Sequence, residues 1–298
     1  MDFKIIDARA HLLLPQKAEI SGQQMQTLRD GDSPFGEETC RTMSSVADDG
    51  KNAAEILFAD MDYAGVSAAI ITQEHRHGLQ NAYLCDVQNR YPDRLLCCGS
   101  FDIRLTGYLN HVRKLLAHGF QVLKIISDGV SLISDETMQV FNLMQDRDIL
   151  LSIDMTSASD QARELEEIIV EYPSLRIAIS YSGKAMCKDW KQQIKLARYT
   201  NVRIETGRIM SYYNDELYPS AKFLRTIMEA ADVIGIHKLM WGSDYPRTIA
   251  PVTYRMSYDF ILKSTLLNDK EKCLFLGKNA EAFYRLNSVV NFAVCNKL

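Results

Sequence analysis

Short apolar stretches alternate with amphipathic stretches along most of the chain. Eight apolar stretches of seven to nine residues have the character of buried strands, at residues 4–12, 66–74, 94–102, 121–127, 149–155, 175–182, 201–207 and 238–244. Five of the intervening stretches space their apolar residues by three or four positions, at residues 53–65, 105–119, 135–146, 160–172 and 220–232. That spacing is typical of helices with one buried face.

Alternating strands and helices predict a parallel β-sheet within an α/β fold. Eight such units favour closure into a single (β/α)8 TIM barrel that spans residues 1–298. A doubly wound open sheet is the structural alternative. Its nucleotide-binding form needs a glycine-rich first turn, and no G-x-G-x-x-G follows any of the eight stretches.

Local signals mark element ends and one insertion. Gly65 and Gly119 stand where helices are expected to stop, and Asn268 with Glu271 has the spacing of a capping box. The first connection, about residues 15–50, is long and polar. Loops of that length are usually functional or disordered. On the barrel interpretation we expect this insertion to lie over the barrel mouth.

Composition narrows the possible partners. The net charge of −4 gives no electrostatic reason to expect nucleic acid or an anionic membrane. No apolar run approaches the roughly 20 residues of a membrane helix, and the chain begins directly with a strand rather than a signal peptide. The seven cysteines include no C-x-x-C pair and fit free thiols in a reducing compartment. We therefore expect a cytoplasmic protein with a small-molecule substrate, and a homodimer is possible.

Polar residues cluster at the predicted carboxyl ends of the strands, where barrel enzymes carry their chemistry. In the first strand, alternation predicts that Asp7, Arg9 and His11 share one face, toward the barrel interior or mouth. The corresponding residues after the other strands are Glu74, His75, Asp102, Lys124, Asp154, Tyr181, Glu205, Arg208 and Asp244.

Six segments together resemble the amidohydrolase-related family, the decarboxylase and lactonase branch of the amidohydrolase superfamily. They are IIDARAHL (5–12), MDYAGVSAAI (61–70), YPDRLLCCGSFD (91–102), PSLRIAISYSG (173–183), WGSDYPR (241–247) and LGKNAEAFYRL (276–286). They occur in the family's order and cover nearly the whole chain. The pair WGSDYP and LGKNAEAFY is the strongest of these matches.

The resemblance implies a metal site that this chain has altered. Family members typically carry His-x-His on the first strand, one His at the end of the fifth, one on the sixth and an Asp on the eighth. The matching positions here are Arg9 and His11, Asp154, Tyr181 and Asp244. Only His11 and Asp244 keep the residue type that the family uses.

Arginine stays protonated and cannot ligate a metal, so Arg9 puts a fixed positive charge where a cation would lie. Arg9 and Lys124 then balance Asp154 and Asp244, and we expect no cofactor. Zinc or another divalent ion on His11, Asp154 and Asp244, with His75 or His77 of QEHRHG (73–78), is the alternative. Arg9 can also be a purely structural ion pair, and Lys124 either binds substrate or forms a salt bridge.

Three functions remain open from the sequence. The first is hydrolysis of a small carboxylated lactone or ester, with Asp244 as general base, His11 and Arg9 assisting, and Lys124, Asp154, Tyr181 and Arg247 binding substrate. The second is metal-dependent hydrolysis or decarboxylation, as in other branches of the family. The third is a catalytically inactive barrel that binds a ligand. The sequence assigns no role to Glu74, His75, His77, Glu205 or Arg208.

Overall fold

The structure is a computed structural model. The structure describes residues 3–13, 18–20, 23–25, 32–35, 38–41, 52–74, 79–127, 130–155, 159–180, 190–207, 218, 221–249 and 251–286. Among these residues, no helix is long and apolar enough to cross a membrane.

Eight parallel strands form one sheet in the order in which they occur along the chain. They are β1 (Ile5–Ala10), β6 (Val66–Ile71), β7 (Leu95–Asp102), β8 (Val122–Ile126), β9 (Leu150–Asp154), β10 (Ile177–Ser180), β11 (Val202–Glu205) and β12 (Leu239–Met240). Two antiparallel hairpins lie in the first connection: β2 (Ala18–Ile20) with β3 (Gln23–Met25), and β4 (Asp32–Phe35) with β5 (Glu38–Arg41).

The first and last strands meet and close the sheet into a barrel. The amide of Ala8 donates to the carbonyl of Trp241 at 2.8 Å, and the amide of His11 donates to that of Tyr245 at 2.8 Å. In the opposite direction, the amide of Asp244 donates to the carbonyl of Arg9 at 3.0 Å. The closure confirms the (β/α)8 barrel over the open doubly wound sheet.

Helices follow most of the strands. They are α1 (Ala54–Ala64), α2 (Asn81–Arg90), α3 (Tyr108–Ala117), α4 (Asp135–Asp146), α5 (Ser159–Glu171), α6 (Trp190–Ile194), α7 (Ala221–Ile234), α8 (Met256–Lys263), α9 (Asp269–Cys273) and α10 (Asn279–Tyr284). Short 3-10 turns lie at Lys195–Arg198, Ile236–Lys238 and Arg247–Ile249, and a π turn lies at Leu274–Lys278.

The core has two layers, as expected for strands that are buried on both faces. One layer fills the barrel and is covered at the amino ends of the strands by α10 through Ala280, Phe283 and Tyr284. The larger layer lies between the strands and the surrounding helices. This packing makes the barrel a solid scaffold on which the side chains at the strand ends are held.

The element predictions are largely confirmed. All eight strands and all five helices occur, with ends within a few residues of those expected except in the last strand. Gly65 ends α1 with a left-handed φ of 75°, and Asn268 and Glu271 form the capping box of α9. The last strand is shorter than predicted, and α2, α6 and α8 were missed. The place of the first connection over the barrel mouth stays a prediction.

The orientation predicted for Asp7 is wrong. Its carboxylate lies away from the mouth and accepts hydrogen bonds from the Ser243 and Tyr254 hydroxyls, at 2.5 and 2.6 Å. The pairing of β1 with β6 shifts register between Asp7 and Ala10, which breaks the strict alternation. Burial raises the pKa of Asp7 to about 6, and these hydrogen bonds offset part of the burial effect.

Candidate active site at the carboxyl ends of the strands

Eight ionisable side chains gather at one end of the barrel and form what we call the Arg9 cluster. Its members are Arg9, His11, Glu74, Lys124, Asp154, Glu205, Asp244 and Arg247. They come from the carboxyl ends of the strands or the residues just after them, where parallel strands in a barrel bring separate parts of the sequence together.

The guanidinium of Arg9 is the centre of this cluster and is buried. Its Nη1 donates to Glu205 Oε1 at 2.6 Å and to Asp154 Oδ1 at 3.0 Å, and its Nε donates to Asp244 Oδ1 at 3.3 Å. Nη1 also donates to Ser180 Oγ at 2.7 Å. One cation therefore contacts side chains at the ends of four other strands. Two of these contacts, those with Asp154 and Asp244, were expected from the sequence.

Two glycines leave space for Arg9. A Cβ atom at Gly207 would lie 2.3 Å from Arg9 Cδ, and one at Gly242 would lie 2.9 Å from Arg9 Cβ. Real side chains do not approach so closely. Glycine at both positions is therefore a condition for the buried guanidinium to reach the carboxylates.

Two further ion pairs flank Arg9. Both Nη atoms of Arg247 donate to the two oxygens of Glu74 at 2.6 Å, which is the strong bidentate form of such a pair. The ammonium of Lys124 lies 2.6 Å from Asp154 Oδ2. Asp154 is the most solvent-exposed member of the cluster, with 35 % of its side chain accessible. Solvent therefore reaches the cluster at Asp154.

His11 contacts Asp244 directly. Its Nε2 lies 3.0 Å from Asp244 Oδ1, while its Nδ1 lies 3.0 Å from the carbonyl oxygen of Thr72. Besides His11, the cluster holds three cations, Arg9, Lys124 and Arg247, and four carboxylates. The charge balance expected from the sequence counted only Arg9, Lys124, Asp154 and Asp244. It left out Arg247, Glu74 and Glu205.

The cations keep the buried carboxylates ionised. Burial alone would raise the pKa of Asp244, but Arg247, His11 and Arg9 outweigh it and hold that pKa well below its usual range. In the same way, burial would raise the pKa of Asp154, while Arg9 and Lys124 lower it well below the ordinary value. Asp244 also has a φ of 63°, an uncommon backbone conformation that recurs at functional sites.

The structure brings together six of the seven predicted site residues: Asp244, His11, Arg9, Lys124, Asp154 and Arg247. Tyr181, the seventh, lies outside the described residues, as do His75, His77 and Arg208. The roles of these residues stay predictions. Asp102 pairs locally, accepting from Arg104 Nη2 at 2.6 Å.

Sequence reasoning missed how Glu74, Ser180 and Glu205 contribute. Each lies at or just beyond a strand end, so its position carried a signal. Nothing in the sequence, however, indicated that Glu205 pairs with Arg9 or that Glu74 pairs with Arg247. Both pairings join residues more than 170 positions apart in the chain.

The structure also contains a candidate metal-binding set. His11, Glu74 and Asp244 offer ligand atoms that all lie within 4.8 Å of one another. The alternative set predicted from the sequence, His11, Asp154 and Asp244, shares two of these three residues and stays a prediction. The donor types suit a divalent ion. Such an ion would have to displace Arg247 from Glu74, because both Glu74 oxygens already accept from it. The expectation of no metal gains no support from this geometry.

Stability is expected to fall as the pH is lowered from about 5 to about 3. The pKa of Asp154 is lowered in the folded protein, so the unfolded chain takes up this proton first. The stabilisation by the carboxylate is complete above its unfolded pKa of about 3.9 and is lost as the pH falls toward the folded pKa. Urea midpoints across this pH range measure the loss.

Two variants test the origin of this acid sensitivity. Asp154→Asn is expected to flatten the pH dependence of the urea midpoint. Asp62→Asn, which alters an exposed pair with Arg94, is expected to keep the wild-type slope. Equal slopes for wild type and Asp154→Asn would contradict the assignment.

The chain belongs to the amidohydrolase family, whose model matches residues 6–286. This match confirms the resemblance drawn from the six segments. No protein with curated annotation matches the chain by sequence. Members of this family generally act as hydrolases or decarboxylases.

Solved structures share the fold. A probable 2-pyrone-4,6-dicarboxylic acid hydrolase from Acinetobacter baumannii, with citric acid bound, has a TM-score of 0.69 at 17% identity, over 95% of this chain and 99% of that one. A zinc-bound amidohydrolase from Burkholderia multivorans has a TM-score of 0.68 at 15% identity, over the same shares. A 5-carboxyvanillate decarboxylase from Novosphingobium aromaticivorans is complexed with manganese and 4-hydroxy-3-methoxy-5-nitrobenzoic acid. It has a TM-score of 0.58 at 18% identity, over 77% of this chain and 79% of that one.

Proposed function

We propose that the protein hydrolyses a small carboxylated lactone or ester and that Asp244 is the general base. The observation that carries this proposal is the ionised, buried carboxylate of Asp244 after the last strand, in contact with His11, Arg9 and Arg247. A general base must be deprotonated before reaction, and the three neighbours hold it so.

The low pKa of Asp244 also favours an activated substrate. A carboxylate with a depressed pKa is a weak base, and its driving force for taking a proton from water is small. Lactones and activated esters need less assistance than unactivated amides. Positive charge from Arg9 stabilises the oxyanion that forms when water attacks the carbonyl.

The substrate carboxylate has a place in the same site. Lys124 and Arg9 both contact Asp154, the carboxylate that solvent reaches. A substrate carboxylate entering from solvent exchanges with Asp154 for these cations, and Arg247 provides a third positive charge nearby. The citric acid in the Acinetobacter relative is a carboxylate ligand of the kind that this charge pattern suits.

A second candidate is metal-assisted hydrolysis or decarboxylation, which the His11, Glu74 and Asp244 set favours. Zinc and manganese occur in two of the similar structures. An ion held by these three residues would supply Lewis-acid polarisation of a carbonyl or carboxylate and lower the pKa of bound water. Arg9 and Lys124 would then hold the substrate's negative charge beside it.

Wild-type protein purified without chelators or an affinity-tag metal tests both candidates in one sample. We expect it to hydrolyse carboxylated lactones or esters faster than the matched amides. Metal content by plasma mass spectrometry is measured on the same sample. Near-stoichiometric zinc or manganese would favour the second candidate. Ligand binding without turnover of any substrate would favour the inactive barrel.

A further inference from the structure

A cavity of about 410 Å³ lies at the opposite end of the barrel from the Arg9 cluster. Its lining comes from the amino ends of β7, β8, β9 and β10 and from the end of α10. Pockets of this size hold small organic molecules. The proposed hydrolysis uses none of these residues.

Positive charge is in excess in this cavity. Its ionisable lining residues are three arginines, Arg147, Arg176 and Arg285, against one aspartate, Asp148. Asp148 pairs with both Arg176 and Arg285. Among the described residues Arg147 has no ion-pair partner. Arg147 is therefore the lining cation whose charge no described acidic residue balances.

Arg176 also has an unused hydrogen-bond donor. Its Nη1 donates to the carbonyl of Phe283 at 2.5 Å and its Nη2 to that of Asp148 at 3.1 Å. Its Nε is buried and has no hydrogen-bond partner among the described residues. Buried donors are rarely left unpaired in folded proteins, so each such donor calls for a partner. The Nε itself is out of reach of a ligand oxygen, but Arg176 lines the cavity, so its positive charge acts on an anion bound there.

The rest of the lining is mostly apolar. Leu116, Phe120 and Ile149 are buried or half-buried and line the same space as the arginines. An inorganic anion would leave this apolar surface uncovered. A neutral apolar molecule would leave the arginine charge unmatched. The two features together select a molecule with an anionic group and an apolar body.

We propose that this cavity binds a small amphipathic organic anion, a monocarboxylate with an aliphatic or aromatic body. Its carboxylate lies between Arg147 and Arg176, and its body covers Leu116, Phe120 and Ile149. This site is separate from the Arg9 cluster, so the proposal stands whether or not the proposed hydrolysis is correct.

Isothermal titration calorimetry of the full chain with octanoate tests the proposal. We expect saturable binding of octanoate, with no binding of octanol, which lacks the charge, or of inorganic phosphate, which lacks the body. Arg147→Gln is expected to weaken octanoate binding by at least about tenfold, because it removes a charged hydrogen-bond donor. Arg147 has no ion-pair partner among the described residues, so its loss leaves the fold intact.

Two more variants complete the test. Leu116→Trp is expected to abolish binding by filling the cavity. Arg113→Gln, an exposed arginine on the same helix that donates to Asn110, is expected to leave binding unchanged. Absence of octanoate binding to the wild type would overturn the proposal. Unchanged binding in Arg147→Gln would overturn it as well, whether or not Leu116→Trp folds.

Discussion

Arg9→Met is expected to lower the free energy of unfolding by about 3–5 kcal/mol, the range for removing one partner of a buried ion pair. Glu205, Asp154 and Asp244 all lie within 3.3 Å of the Arg9 guanidinium. Methionine fills similar space but carries no charge. Its introduction therefore leaves Glu205 and Asp244, which are almost fully buried, without the cation that they share.

Urea unfolding followed by circular dichroism measures this loss. Arg163→Met is a matched control, because Arg163 is exposed and pairs with an exposed aspartate. Exposed pairs contribute about 0–1 kcal/mol, so we expect little change in the control. A loss in Arg9→Met as small as that in the control would show that the carboxylates do not depend on Arg9.

Asp244→Asn is expected to lower kcat by at least about a hundredfold, the lower end of the range for general acid–base catalysis. Asparagine keeps the shape of the side chain but cannot accept a proton from water. It also tolerates the left-handed backbone of this position, where φ is 63°. The variant therefore removes the base with little change to the backbone.

Steady-state kinetics on the best lactone or ester measures this effect, and calorimetry with a non-hydrolysed carboxylate analogue measures binding. Asp154→Asn is the comparison, because Asp154 is the solvent-exposed carboxylate and is expected to alter KM more than kcat. A normal kcat in Asp244→Asn would remove Asp244 from the role of base. Intact binding with lost turnover would support the proposed mechanism over a binding-only barrel.

The two variants test different roles within one cluster. Arg9 contacts carboxylates from three other strands or their ends, so its loss is expected to lower stability in addition to removing the positive charge proposed for the oxyanion. Asp244 follows the last strand and touches the cations that favour its ionised form, so its main effect is on turnover. Purely structural ion pairing at the mouth would make both substitutions destabilising and leave no activity to lose.

The sequence by itself determined the barrel and most members of the site. Period-two and period-3.6 patterns are local, so eight strands and five helices could be located from short windows. Barrel enzymes place chemistry at the strand ends, and this rule pointed to Arg9, His11, Asp154 and Asp244, which the structure brings together. The family model matches residues 6–286, which cover all but the first residue of the six segments that resemble the family.

Tertiary structure alone decided which partners those residues have. The shift in β1 turned Asp7 away from the mouth, because strand pairing rather than alternation sets where a side chain lies. Glu205 joined Arg9 and Glu74 joined Arg247 across long stretches of chain, since only barrel closure brings those strand ends together. Closure also put Glu74 beside His11 and Asp244. Local patterns carry no information about such distances.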